Sequence, residues 1–170
     1  MSKHFMVIIV KNNAGVLARI SSLFCQRAFN IESLTVSTTD SPLISRITVA
    51  TSGDDAYFEQ LRSQTLKLSE VLEIYPVDTD STVIRELLLL KLRVTDQNRD
   101  QIVSIAESNH ARVLSEQDHC LVVEMTADPT TIDLFIELMM PFDFVEMCRT
   151  GATAIAKGAT SFHPDSISKR

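Results

Sequence analysis

The chain has 170 residues, 45% of them hydrophobic, with 16 basic and 22 acidic side chains and a net charge of −6; such a length suits one large or two small globular domains with a packed core. The negative balance argues against a nucleic-acid partner, whose phosphates need a basic stripe that the sequence does not show. The longest apolar runs, residues 5–10 and 87–90, fall far short of the roughly 20 residues of a membrane span, and no leader pattern is visible, so no membrane contact and a cytoplasmic location are expected. In chain order, Phe5 to Val10 is a continuous apolar run, which predicts a strand buried on both faces. From Val16 the period changes: Val16, Leu17, Ile20, Leu23 and Phe24 form one stripe of a helix ending near Ala28. "IESLTVSTT" and "SRITVAT" are rich in β-branched residues and predict two strands, with Asp40 to Pro42 supplying the turn. Asp54 and Asp55 open a second helix carrying Phe58, Leu61 and Leu68, and "VLEIYPV" closes as a strand.

The polar segment 78–83 then breaks the periodicity and predicts a linker. After it, "RELLLLKLRV" predicts a second doubly buried strand. A helix follows with its start at Thr95 and Asp96 and with Ile102, Ile105 and Ala106 facing inward. "HARVLSEQ" and "HCLVVEMTAD" predict two strands, and a helix opened by Pro129 carries Ile132, Phe135, Ile136 and Met139. "FDFVEMCRT" predicts the closing strand. The order β-α-β-β-α-β thus occurs twice, at an offset of about 80 residues, and predicts an α+β protein of two ferredoxin-like domains in tandem. The expected boundaries are 1–77, a linker at 78–83, 84–158, and a tail at 159–170. Helices joining parallel neighbouring strands would cover one face of each sheet. The other face then needs the other half of the chain, a second copy or a different protein.

Residue sets that carry catalysis are missing from the sequence: no G-x-S-x-G, no Walker-type loop, no H-E-x-x-H and no C-x-x-C. Cys25, Cys120 and Cys148 are odd in number and widely spaced, as reduced thiols would be. His4, His110, His119 and His163 are scattered, and the Asp54/Asp55 and Asp78/Asp80 pairs read as a helix cap and a solvated loop. The Met139/Met140 and Phe142/Phe144 pairs have the spacing of core residues. No metal site is expected, and catalysis by this chain alone is not.

The junction between the first strand and first helix holds Asn12, Asn13, Ala14 and Gly15. Free N–H groups of a helix's first turn favour an anion there, and Asn13 is the expected N-cap. A glycine inside the first turn costs up to about 1 kcal/mol relative to alanine. Two reasons stand level: close approach of a ligand to a backbone without Cβ, or tight packing of the helix start on a neighbouring strand.

The segment "NNAGVLARISSLFCQRAFNIESLTV", with "SRITV", "RELLLLKL" and "RTG" at Arg149 to Gly151, closely resembles the regulatory small subunit of acetohydroxyacid synthase (acetolactate synthase), whose first domain is an ACT domain. The likeness covers nearly the whole chain. The family usually has glycine where Ala28 stands and often tyrosine where Phe29 stands. The resemblance implies a homodimer that binds branched-chain amino acids, chiefly valine, where two ACT domains meet. It implies a large catalytic subunit as partner, which this chain would activate and make sensitive to feedback inhibition. Thiamine diphosphate, Mg and FAD would belong to that partner, and no cofactor to this chain. The implied valine-binding residues are Asn12, Ala14, Gly15, Val16 and Leu17, with Asn30 and Ile31 closing the site from the other protomer. The competing reading is a stand-alone ACT-domain sensor that regulates transcription or another enzyme; it needs a DNA-reading helix or an effector domain, and the chain has neither.

Overall fold

The computed structural model describes residues 2–162; His163 and the rest of the expected tail beyond it lie outside the described residues. The first half runs β1 (Ser2–Lys11), α1 (Val16–Gln26), β2 (Ile31–Thr38), β3 (Ile44–Gly53), α2 (Asp55–Thr65) and β4 (Val71–Val77). The second runs β5 (Thr82–Arg93), α3 (Arg99–Ser108), β6 (Arg112–Gln117), β7 (Cys120–Ala127), α4 (Pro129–Met139) and β8 (Phe144–Arg149), followed by the short β9 (Thr153–Ala156). Strands of the first sheet lie in the order β2-β3-β1-β4, and four of the second in the matching order β6-β7-β5-β8. The architecture is therefore α+β, with the ferredoxin-like order of elements used twice. Neighbouring strands pair antiparallel. The expectation of parallel neighbours is corrected here: α1 joins β1 to β2, and β3 lies between them.

The chain divides into two compact units, residues 1–83 with 151–170, and residues 84–150. Residues 151–158, expected in the second domain, group with the first unit, and the cause is local. Arg46 on β3 donates to the Ala154 carbonyl, its guanidinium stands 5.4 Å from the Phe162 ring, and the Phe162 and Tyr75 rings are 5.5 Å apart. A Cβ added at Gly151 would meet Thr35 Oγ1 at 2.5 Å, so only glycine lets the backbone come so close to β2. The segment 78–83 is likewise more ordered than a free linker. Asp78 accepts from the Ser81 hydroxyl at 2.6 Å, Lys157 donates its backbone N–H to Ser81 O at 2.8 Å, and Thr82 already belongs to β5.

In the first unit, Met6, Ile8 and Val10 of β1 pack with Val16, Ile20 and Phe24 of α1 and with Phe58 and Leu61 of α2. The opposite face of β1 carries Phe5, Val7 and Ile9, also buried. Pairing puts Val7 between Thr48 and Tyr75, on the face that Arg46 shares. The returning segment is anchored on that face through Arg46 and Tyr75. The second unit differs. In β5, Leu88, Leu90 and Leu92 are buried against Ile102, Ile132 and Phe135, whereas Leu87, Leu89 and Lys91 are only half-buried. The run "LLLL" therefore alternates, and the doubly buried reading of β5 is corrected.

Local chemistry sets the ends of the helices. Asp54 caps α2 by accepting from Tyr57 N at 2.7 Å, and Asp128 caps α4 by accepting from Thr131 N at 3.0 Å. Hydrogen bonds from the Thr131 side chain and backbone hold the Asp128 carboxyl below its ordinary value. The helix α3 begins later than Thr95 and Asp96 suggest: Asn98 is its N-cap residue, and its side chain accepts from Thr95 N at 2.8 Å. At the end of α1, Ala28 N–H donates to Cys25 O at 3.1 Å and Phe29 N–H to Phe24 O at 2.9 Å, the bond pair of a Schellman motif. That motif wants a left-handed residue, and Ala28 has φ 54°. His110 repeats the arrangement after α3 with φ 60°. Ala28→Gly is therefore expected to stabilise the protein by about 1 kcal/mol, because glycine adopts this φ without the Cβ clash. Urea denaturation checks it; a loss of stability would mean that entropy outweighs strain at this position.

Candidate functional site

Gly15 is the residue before the first turn of α1, not within it. It has φ 86° and ψ −6°, and Val16 N–H donates to Asn13 O at 3.3 Å. These are the values of the third residue of a type II turn, which requires glycine or asparagine. Asn13 therefore accepts through its backbone and is not the N-cap that the sequence suggests. Of the two explanations for the glycine, tight packing fails, since an added Cβ would meet nothing within 4 Å. The backbone turn demands glycine, and the space beside it is open.

The turn leaves the start of α1 facing outward. Asn12, Asn13, Ala14 and Gly15 are all exposed, and the first-turn N–H groups have no acceptor within their own helix. Asn12 is fixed at both ends: its backbone N–H donates to Leu43 O at 2.7 Å, and its Nδ2 donates to Pro42 O at 2.8 Å. Its Oδ1 stays available as an acceptor. Lys11 N–H donates to Glu70 O at 2.9 Å, and Arg19 pairs with the Glu70 carboxylate. Burial works to raise the pKa of Glu70, but the Ser69 hydroxyl, its own backbone N–H and the cations of Arg19 and Lys11 hold it below the ordinary value. Around the loop, then, the charged side chain of Arg19 is neutralised by Glu70, and the helix N-terminus is left as the positive end for a ligand.

The apolar residues expected at the site divide. Val16 is 6% exposed and belongs to the core, so its side chain cannot line a surface site. Leu17 is 43% exposed, and Ile31 is half-buried against the core. Asn30 is exposed, and its backbone is held on both sides. Its N–H donates to the Tyr57 hydroxyl at 2.6 Å, and its carbonyl accepts from the Thr51 hydroxyl at 2.7 Å. The Asn30 side chain is thus presented on a rigid frame.

One chain brings the two halves of this set to opposite ends of the first sheet. Ile31 pairs with Thr51 and Thr38 with Ser45, whereas the loop follows Lys11, opposite Ile44. The 11 residues of α1 separate the loop from Asn30 by about 16 Å. Pro42, Leu43, Tyr57 and Thr51 are supporting residues that sequence reading missed. Their contacts span 21 to 31 positions in the chain, and no local pattern encodes them.

The second unit has a cleft at the corresponding place, of about 180 Å³, where α3 begins beside the turn between β6 and β7. Its chemistry differs. Asp96 and Asp118 line it, and Arg99 crosses it to Glu116 with bonds of 2.6 and 2.7 Å. Those carboxylates oppose an anion where the first unit offers free N–H groups.

Comparison with known proteins follows the same division. Residues 6–73 match the family model described as the AHAS small subunit-like ACT domain, and residues 85–158 match that of the small subunit of acetolactate synthase. The chain is 38% identical over 156 residues to the probable acetolactate synthase small subunit of Archaeoglobus fulgidus, covering 92% of this chain and 98% of that protein. It is 34% identical to the acetolactate synthase small subunit of Mycolicibacterium smegmatis, covering 91% of each chain. The crystal structure of the acetolactate synthase small subunit from Thermotoga maritima superposes with a TM-score of 0.84 at 30% identity, over 94% of this chain and 100% of that one.

Proposed function

Because the chain belongs to the acetolactate synthase small-subunit family, a regulatory subunit that works with a catalytic partner, we propose that it activates that partner in the cytoplasm and confers feedback inhibition by valine. Thiamine diphosphate, Mg and FAD are assigned to the partner, and residues 1–77 to amino-acid binding. The observation that carries the reading is the left-handed Gly15 at the start of α1, with open space where its Cβ would stand.

Valine has three recognisable parts. Its carboxylate is received by N–H groups between Ala14 and Leu17, where the helix dipole contributes about 0.3–1 kcal/mol and each charge-assisted hydrogen bond about 1.5–3 kcal/mol. Its ammonium is received by the Oδ1 atoms of Asn12 and Asn30. Its isopropyl group rests on Leu17 and Ile31. Val16 acts only from the core.

The two halves of the site meet through a homodimer. β2 is the edge of the first sheet, and an edge strand offers a row of backbone groups for pairing. Two-fold antiparallel pairing of β2 with its copy sets the start of one strand, at Asn30 and Ile31, beside the end of the other, at Thr38. From Thr38 the chain enters the turn that Asn12 holds against the loop. Groups of two chains then contact one ligand, so valine stabilises one dimer geometry. Coupling of about 1–3 kcal/mol is the usual size of such an effect.

Asn30→Ala tests this arrangement. The backbone of Asn30 stays held by Tyr57 and Thr51, so the substitution removes only the side-chain acceptor. Calorimetry is expected to record valine binding about tenfold weaker, the loss of one hydrogen bond to a charged group, while sedimentation still finds a dimer. Unchanged affinity, or a monomer, would count against it.

A further inference from the structure

We propose that Leu43, in the turn between β2 and β3, is a specificity-determining residue of the amino-acid site. Its side chain completes, with Leu17 and the other protomer's Ile31, the wall against which the ligand's aliphatic group packs. The inference rests on the reading of the loop at Gly15 as that site.

Leu43 is 76% exposed, the most exposed large apolar side chain among the described residues. A lone exposed leucine needs no explanation, but two features set this one apart. The turn that carries it is fixed: Thr39 N–H donates to Ile44 O at 3.0 Å and Ile44 N–H to Ser41 O at 3.1 Å, and the Thr39 hydroxyl accepts from Ser41 N at 3.2 Å. The turn is also tied to the loop itself, since Asn12 bonds the carbonyls of both Pro42 and Leu43. A rigid turn therefore holds the backbone of Leu43, which carries an exposed apolar side chain, against Asn12, the residue assigned to the ligand's ammonium. Val16, the apolar residue nearest Gly15 in sequence, is buried in the core, so the wall of Leu17 and the other protomer's Ile31 has a side that Val16 does not fill. A wall held by a fixed turn discriminates by size, because it cannot retreat from a longer side chain or follow a shorter one.

The test is calorimetry of the full-length protein with valine, leucine and isoleucine, comparing wild type with Leu43→Ala and Leu43→Phe. Leu43→Ala is expected to weaken valine binding about tenfold and to move the ratio of leucine to valine affinity about fivefold toward leucine, since the shortened wall admits the longer chain. Leu43→Phe is expected to move the ratio the other way. Wild type that binds valine, with both variants keeping its affinity ratio, overturns the assignment of Leu43 alone. A change in oligomeric state with an unchanged ratio also overturns it, by making Leu43 a contact between copies. A wild-type protein that binds none of the three overturns both this proposal and the reading of the loop.

Discussion

A small subunit carrying Gly15→Asp is expected to activate the catalytic subunit fully and to lose inhibition by valine. The backbone at Gly15 is left-handed, a conformation that asparagine and aspartate tolerate better than other non-glycine residues. No atom stands within 4 Å of an added Cβ, so the side chain has room without displacing the core. A carboxylate at a helix N-terminus stabilises the helix by about 0.3–1 kcal/mol, which offsets part of the backbone strain. The fold therefore survives. The site does not, because the new carboxylate occupies the N–H groups assigned to valine and repels the ligand's own carboxylate. Gly15→Asn separates charge from shape: it has nearly the same size and tolerates the same φ, and it is expected to retain partial inhibition. Valine titrations of the two assembled variants decide between these outcomes. Equal loss in both would assign the effect to the backbone and not to an anion site.

The largest expected effect on stability lies in the second unit, at Glu86. Its side chain is 3% exposed, beside Arg149 at 25%. Arg149 reaches Glu86 Oε2 at 2.5 Å, Asp133 Oδ1 at 2.5 Å and the Pro129 carbonyl at 3.2 Å, so one guanidinium ties β5 and β8 to the first turns of α4. Burial of Arg149 works against its charge, yet the hydrogen bonds it donates to Asp133 and Glu86 prevail and hold its pKa above the ordinary value. Glu86→Ala removes the buried carboxylate and leaves the cation with its exposed partner. The expected loss is about 3 kcal/mol, the lower end for breaking a buried pair, because Arg149 keeps Asp133 and some contact with water. Replacing both residues, Glu86→Leu with Arg149→Met, is expected to restore most of it, since no unpaired charge remains. Denaturant unfolding of the full chain measures both. A loss under about 1 kcal/mol in the single variant would mean that the bond network is a surface feature.

The repeated order of elements was readable because each half carries its own local signals: the β-branched run of β2, the stripe of Val16, Ile20 and Phe24, the cap at Asp54, and Pro129 opening the helix of Ile132 and Phe135. What local pattern could not supply was long-range. The continuous apolar runs of β1 and β5 look alike in sequence, yet β1 is buried on both faces and Leu87 and Leu89 of β5 are half-buried. On the second face of the β1 sheet, Arg46 bonds Ala154, over 100 positions away, a contact that no local pattern encodes. The same limit applies to the site. Gly15 stood out because glycine is costly at a helix start, but its left-handed φ and the open space beside it are properties of a turn whose φ no spacing rule specifies. Asn12 was legible as a polar residue in the loop, and its grip on Pro42 and Leu43 was not. The absence of the family's usual glycine at Ala28 was visible in sequence. The structure adds its consequence, an alanine held at φ 54°.

The central claim is that an amino acid bound beside Gly15 regulates a catalytic partner. Its most direct test is reconstitution of this chain with the acetolactate synthase catalytic subunit, measuring acetolactate formation against valine concentration. The account predicts higher activity with this chain than without it, and a fall toward the level of the free catalytic subunit as valine saturates. Activation that valine leaves unchanged at every concentration would contradict the role assigned to the loop. No activation at all would contradict the proposed function as a whole.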